Sequence, residues 1–376
     1  MREDITREYE ADCLIKLLEA LVNKQEIPRF ERVPDWEKLY KLALFQNVTN
    51  IAYYCLLGVD DYELKPWKEK FEEHYHQAVV NEGYYGAVVP EILEELEKGS
   101  INGVLFGEYI LRGFYPRVEM RELESVQILV GKDQVDKIRK IMERLDFTEE
   151  KSNKKGAYVF TKIPGLKVIF WTKLHFLNKK FTKYFDISLK TYEPFASYRC
   201  IRGFQPEELY IYLIASAAED YAKSELDMLK ILDLRCFYRA YVRVLDWKYV
   251  TKELDALKAG EFADYITKLA TMWYDGLIFE KDNILLTAME VHILTKGRKG
   301  RHESERLLSL VNEVADIYSR DLKKQQRKAA RELLLPSLEY MRVMFKVLQR
   351  YPCFLPLCWV VRLLRLGRDK IFHKKA

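Results

Sequence analysis

Glycine and proline are scarce in this chain, 16 and 11 in 376 residues. With so few turn formers and few readable strands, helix is expected to dominate. The six cysteines form no Cys-x-x-Cys pair, which argues against a zinc ribbon or a redox motif. An isolated cysteine such as Cys236 beside Phe237 reads as a reduced core residue. No run reaches the ~18 apolar residues of a membrane span. The N-terminal MREDITREYE is charged and lacks an apolar segment, so no signal peptide is expected. There is no GxxxxGK[ST] loop, no GxGxxG after a strand, no GxSxG and no HExxH. Histidines number six; His175 and His292 stand alone, and His74 and His76 point to different sides of one helix. The net charge of +5 is too small to signal nucleic acid. Internal repeats and low-complexity tracts are lacking too.

What remains is 49% hydrophobic and 32% charged, the profile of a soluble globular protein with length for two or three domains. A reducing, cytoplasmic setting is the expectation. Apolar spacing predicts helices over 11–22, 36–45 (opened by Pro34-Asp35), 47–57 and 67–98. Strand and helix then alternate from 100 to about 195. Strands are expected at 104–106, 125–130, 158–163, 166–170 and 184–189, and a helix over 134–145. Pro206 and its following acids open a second helical region over 209–221, 226–244, 249–258, 261–274 and 284–294. A basic loop at 296–303 follows, then helices over 304–331, 336–349 and 357–368.

The chain is organised around residues 101–130, INGVLFGEYILRGFYPRVEMRELESVQILV. Gly107 turns the chain between a buried strand and a short helix over 108–113, Tyr115-Pro116 marks a loop, and Arg121 precedes the second strand, which ends Leu129-Val130. In this frame the chain resembles the poorly characterised bacterial nucleotidyltransferases of the DNA polymerase β superfamily. The resemblance extends to Tyr212-Leu213-Ile214-Ala215, Leu232-Asp233-Leu234, Trp273, and the tail containing Leu335-Pro336, Tyr351-Pro352, Trp359 and Arg362. It implies two divalent cations held by Asp-x-Asp on a strand and a third acid on a neighbouring strand, with a glycine turn for the phosphates.

The frame is present and the chemistry is not. The two aspartate positions hold Ser125 and Gln127, and the third acid falls on Ile169. Phe106 replaces a lysine, Trp171 a histidine, and Ser216 with Glu219-Asp220 replace further polar positions, reversing charge. A hydroxyl and an amide bind a hard dication far more weakly than two carboxylates, and isoleucine cannot bind one. Glu122 and Glu124 have the i, i+2 spacing that could replace the missing pair; the alternative reading is a solvated loop. Gly107, Glu108 and Arg121 are the candidate nucleotide-binding residues, though turn geometry alone explains Gly107. Arg121 could bind an anion or pair with Glu124 or Asp233.

The expectation is an α+β, mostly helical protein with a small mixed-sheet nucleotidyltransferase-like core. Its parts are a helical region over 1–99, the core over 100–195, a helical region over 196–335 and a basic helical tail over 336–376. The expected function is a degenerate binding or regulatory module with a nucleotide or protein partner and no cofactor. The alternative is an active nucleotidyltransferase using Mg2+ or Mn2+ on displaced carboxylates. The basic tail over 353–376 can lie on an anionic membrane surface or pack on the body, and packing is favoured.

Overall fold

The computed structural model describes residues 8–59, 61–186, 192–277 and 284–295, with 345, 354–356 and 358–359. The chain divides into two compact units, Met1–Ala315 and Asp316–Ala376. In the second, Cys358 is buried against Phe345, Leu355 and Trp359. The basic loop at 296–303 and the helices expected over 304–331 and 336–349 lie outside the described residues, apart from Phe345. So does nearly all of 357–368.

Helices open the chain: α1 (Tyr9–Val22), α2 (Trp36–Phe45), α3 (Thr49–Leu56) and the long α4 (Lys65–Lys98). Asp35 caps α2 by accepting the Lys38 N–H at 3.1 Å, satisfying a donor the helix leaves free. Then come β1 (Gly103–Phe106), α5 (Glu108–Leu111), β2 (Val126–Val130), α6 (Val135–Arg144), β3 (Thr148–Glu150), β4 (Ala157–Lys162), β5 (Leu166–Trp171), α7 (Lys179–Tyr184), β6 (Tyr192–Pro194) and β7 (Ile201–Phe204). The C-terminal helices are α8 (Pro206–Lys223), α9 (Met228–Tyr241), α10 (Trp247–Ala256), α11 (Gly260–Tyr274) and α12 (Ile284–Leu294). Among the described residues the protein is therefore mostly helical α+β.

The strands form one mixed sheet in the order β3-β4-β5-β2-β1-β7-β6. β5 with β2 and β1 with β7 run parallel; the other neighbours are antiparallel. Ile128, Leu129 and Val130 are all buried because the central strand is covered on both faces. On one face Leu105, Ile128 and Val130 pack with α4 (Val89, Ile92, Leu93) and α6 (Ile138, Ile141). On the other, Val104, Phe106 and Leu129 join the larger core built from α1 to α3 and α8 to α12. Gln46 ties that core together: its amide donates to the Leu294 carbonyl and accepts from the Met228 N–H, both at 2.9 Å.

Three differences from expectation stand out. The strand expected at 184–189 is not found at its start, because Tyr184 ends α7; residues 187–189 lie outside the described ones. Asn178 accepts the Lys180 N–H and Phe181 is buried, so a capped helix prevails over the β-prone composition. β3, β6 and β7 are additional strands, and β7 carries the sheet past residue 195 to Phe204. Of the short helix expected over 108–113, only Glu108–Leu111 is α-helical, and Arg112–Phe114 tightens into a 3-10 turn.

Candidate functional site

β1, β2 and β5 set one row of side chains across the sheet. Phe106 is the register partner of Gln127, and Gln127 that of Ile169. Adjacent strands lie roughly 4.8 Å apart, so positions 127 and 169 are neighbours on one face. Trp171, two residues along β5 from Ile169, donates its indole N–H to the Gln127 amide oxygen at 3.2 Å. Ser125 sits just before β2 and is buried.

Over this row lies a cavity of about 180 Å³, lined by Phe106, Gln127, Trp171, Tyr212, Ser216 and the acids Glu219 and Asp220, among others. Six of its lining residues are positions singled out in the sequence for departing from functional residue types. Their convergence follows from topology: β1, β2 and β5 give the row, and the Tyr212 side of α8 closes it. The volume is below the roughly 300–1,000 Å³ of drug-sized ligand sites. Aromatic rings line and flank the cavity. Phe106 is 5.5 Å from Tyr212 edge-on, Phe185 is 5.8 Å from Tyr212, and Phe176 is 5.6 Å from Phe185.

Both acids at the cavity are paired. Glu219 accepts the Leu177 N–H at 2.9 Å and the Lys223 ammonium at 2.8 Å. Asp220 is paired with Lys230. Lys154 approaches from the β3–β4 connection, with its ammonium 5.9 Å from the centre of the Trp171 ring. His175 also lines the cavity, and burial, with Lys173 and Lys155 nearby, holds its imidazole below the usual histidine range. Sequence reasoning did not single out Lys154. Its only signal is the basic run at 151–155, and nothing in that run says which loop folds over the row.

Gly107 has φ +74 and ψ −143, a conformation that side chains rarely adopt. The next residue, Glu108, turns its carboxylate onto the N–H groups of Glu124 (2.9 Å) and Ser125 (3.2 Å). Burial pushes the Glu108 carboxyl up, opposed by Arg121 at 3.7 Å. Arg121 itself is buried. Its Nε donates to both Asp233 oxygens at 2.8 and 3.0 Å, and Nη1 donates to the Glu122 carbonyl. The Tyr115 hydroxyl donates to the same Asp233 at 2.7 Å. Of the two partners the sequence offered Arg121, the structure selects Asp233.

Glu122 and Glu124 do not converge. Glu122 receives a 3.4 Å bond from Asn81 of α4, while Glu124 is exposed. The donors at the acid positions are one hydroxyl, one amide and a hydrocarbon, which do not fit Mg2+ or Mn2+. Among the described residues no group of three or more His, Cys, Asp or Glu could hold a metal ion. Among them, too, no helix is long and apolar enough to cross a membrane.

A family model described as an uncharacterised nucleotidyltransferase matches residues 33–275, which span α2 to α11 and the whole sheet. No curated protein and no solved structure gives a significant match.

Proposed function

Because this chain belongs to the uncharacterised nucleotidyltransferase family, we propose that it keeps the family's fold as a binding or regulatory module and has lost metal-dependent nucleotidyl transfer. The observation that carries this reading is the row Phe106, Gln127 and Ile169, with Ser125 beside it. Transfer of a nucleotidyl group needs cations that activate the attacking hydroxyl and neutralise charge on the triphosphate. A phenyl ring, an amide and a butyl group cannot anchor them. The small volume and aromatic walls of the cavity support the same reading. Glu122 and Glu124 are poorly placed to substitute, since one faces α4 and the other faces solvent.

The ligand of such a module is a nucleotide held without metal, or a protein partner. Thermal unfolding with each nucleoside triphosphate, with and without Mg2+ or Mn2+, tests the loss of catalysis. A ligand at ~100 times its Kd adds about 2.7 kcal/mol, a shift of several degrees for a domain of this size. The expected outcome is no metal-dependent shift with any triphosphate. A shift that needs metal would overturn the reading and return attention to Glu122 and Glu124. A shift without metal would identify a nucleotide-sensing module.

A further inference from the structure

A second cavity, sharing no lining residue with the first, opens at the β7 side of the sheet and measures about 390 Å³. Its floor has a gap where a side chain would normally stand. Leu105, Gly203 and Glu193 are register partners across β1, β7 and β6, and the central position of the three is glycine. A Cβ on Gly203 would meet no heavy atom within 4 Å. The same holds for Gly113, which lines the cavity from the turn after α5. Packing does explain the glycine at position 103, where a Cβ would come within 2.8 Å of the Ile128 Cγ2. No such contact accounts for Gly203. A glycine within a strand weakens it, and one with open space above it commonly marks the close approach of something else.

The walls specify what that is. Phe114 stands edge-on to Phe237 and Tyr241, with ring centres 5.6 and 5.5 Å apart, while Phe237 and Tyr241 stack at 5.0 Å. These rings hold one another and present a stiff aromatic surface. Phe195 adds another ring to the lining. Arg112 is the cationic group of the lining and Glu193 its carboxylate, and the Arg112 side chain is only 11% exposed. Its guanidinium lies 4.3 Å over the Tyr109 ring and Nη1 bonds to Glu82, which fixes its plane. Guanidinium has five N–H donors and keeps its charge at all working pH values.

We propose that this cavity is a ligand site for a small planar aromatic acid, its ring in the space between the Gly203 strand and the wall of Phe114, Phe237 and Tyr241, its acidic group toward Arg112. The volume lies within the roughly 300–1,000 Å³ of small-molecule sites. Nothing in the proposal depends on whether the degenerate cleft binds a nucleotide.

Saturation-transfer NMR on the full chain, titrated with 2-naphthoate and separately with uncharged 2-naphthalenemethanol, tests it. Naphthoate is expected to bind. Gly203→Leu fills the gap with its own side chain and should weaken both probes at least tenfold while the melting temperature holds or rises. Gly113→Leu, in an exposed turn, provides the same test should Gly203→Leu melt lower. Arg112→Gln should weaken naphthoate severalfold and leave naphthalenemethanol unchanged. Absence of naphthoate binding to the native chain, or equal binding after the cavity is filled, would overturn the site. Equal naphthoate binding in Arg112→Gln would overturn the acidic class of ligand.

Discussion

Arg121 and Asp233 form a buried pair that the Tyr115 hydroxyl completes. Taking two charges out of water is costly, and their mutual attraction offsets that only while both partners remain. Asp233→Ala leaves a buried guanidinium with Glu108 at 3.7 Å as its remaining counter-charge, so the expected loss is about 3–5 kcal/mol in urea unfolding. The double replacement Arg121→Met with Asp233→Leu removes both charges and should cost less than Asp233→Ala alone. A double variant as unstable as the sum of its parts would mean that the two residues act separately. At this scale the sequence left Arg121 between an anion, Glu124 and Asp233. Spacing cannot decide among them. The partner lies on α9, 112 residues away, and only the packing of that helix against the β1–β2 connection brings it within reach. The same packing pairs Arg121 with a buried carboxylate.

The helices were legible where an apolar stripe runs for several turns, and α2 and α12 match their expected limits. The strands β3 (TEE), β6 (YEP) and β7 (IRGF) were not, because three or four residues with little apolar content carry no measurable period. They are strands because neighbours pair with them. For β7, part of the fixing comes from α4: Glu97 accepts the N–H groups of Cys200 at 2.8 Å and Arg199 at 2.9 Å, just before the strand begins. The Cys200 bond chiefly, with Arg199, holds the Glu97 carboxyl below its usual value of 4.5. A carboxyl depressed in the folded state contributes its full stabilisation above the unfolded value and loses it as pH falls through the folded one. Glu97→Gln should therefore lower the melting temperature at pH 7. The gap to the native chain should close as pH drops below about 4.5. A gap that stays constant down to pH 3 would show that the charge of Glu97 does not fasten β7.

At the scale of the whole molecule, Gln127 and Ile169 are neighbours across two parallel strands, at positions where the family resemblance implies metal ligands. That pairing was legible only through the family resemblance, since spacing along one strand does not say which strand lies beside it; the register makes Gln127 and Ile169 neighbours. The rest of the lining was not legible: Phe176 and Lys154 come from segments with no motif, and only the assembled fold brings them to the cavity. If the donors alone are missing, returning them should return the metal. Gln127→Asp with Ile169→Asp places two carboxylates side by side on adjacent parallel strands, within reach of one dication. Two like charges so close are unfavourable without an ion between them, so the variant should melt below the native chain in chelator. Mn2+ at ~100 times its Kd should restore about 2.7 kcal/mol and leave the native chain unmoved. Nucleotidyl transfer is not expected to return with the metal, since Phe106 and Ser125 still stand where the resemblance implies a lysine and an aspartate. A variant that gains nothing from Mn2+ would locate the loss elsewhere: the aromatic rings of Phe106 and Tyr212 would then be what closes the site, and the missing carboxylates a consequence of that closure rather than its origin.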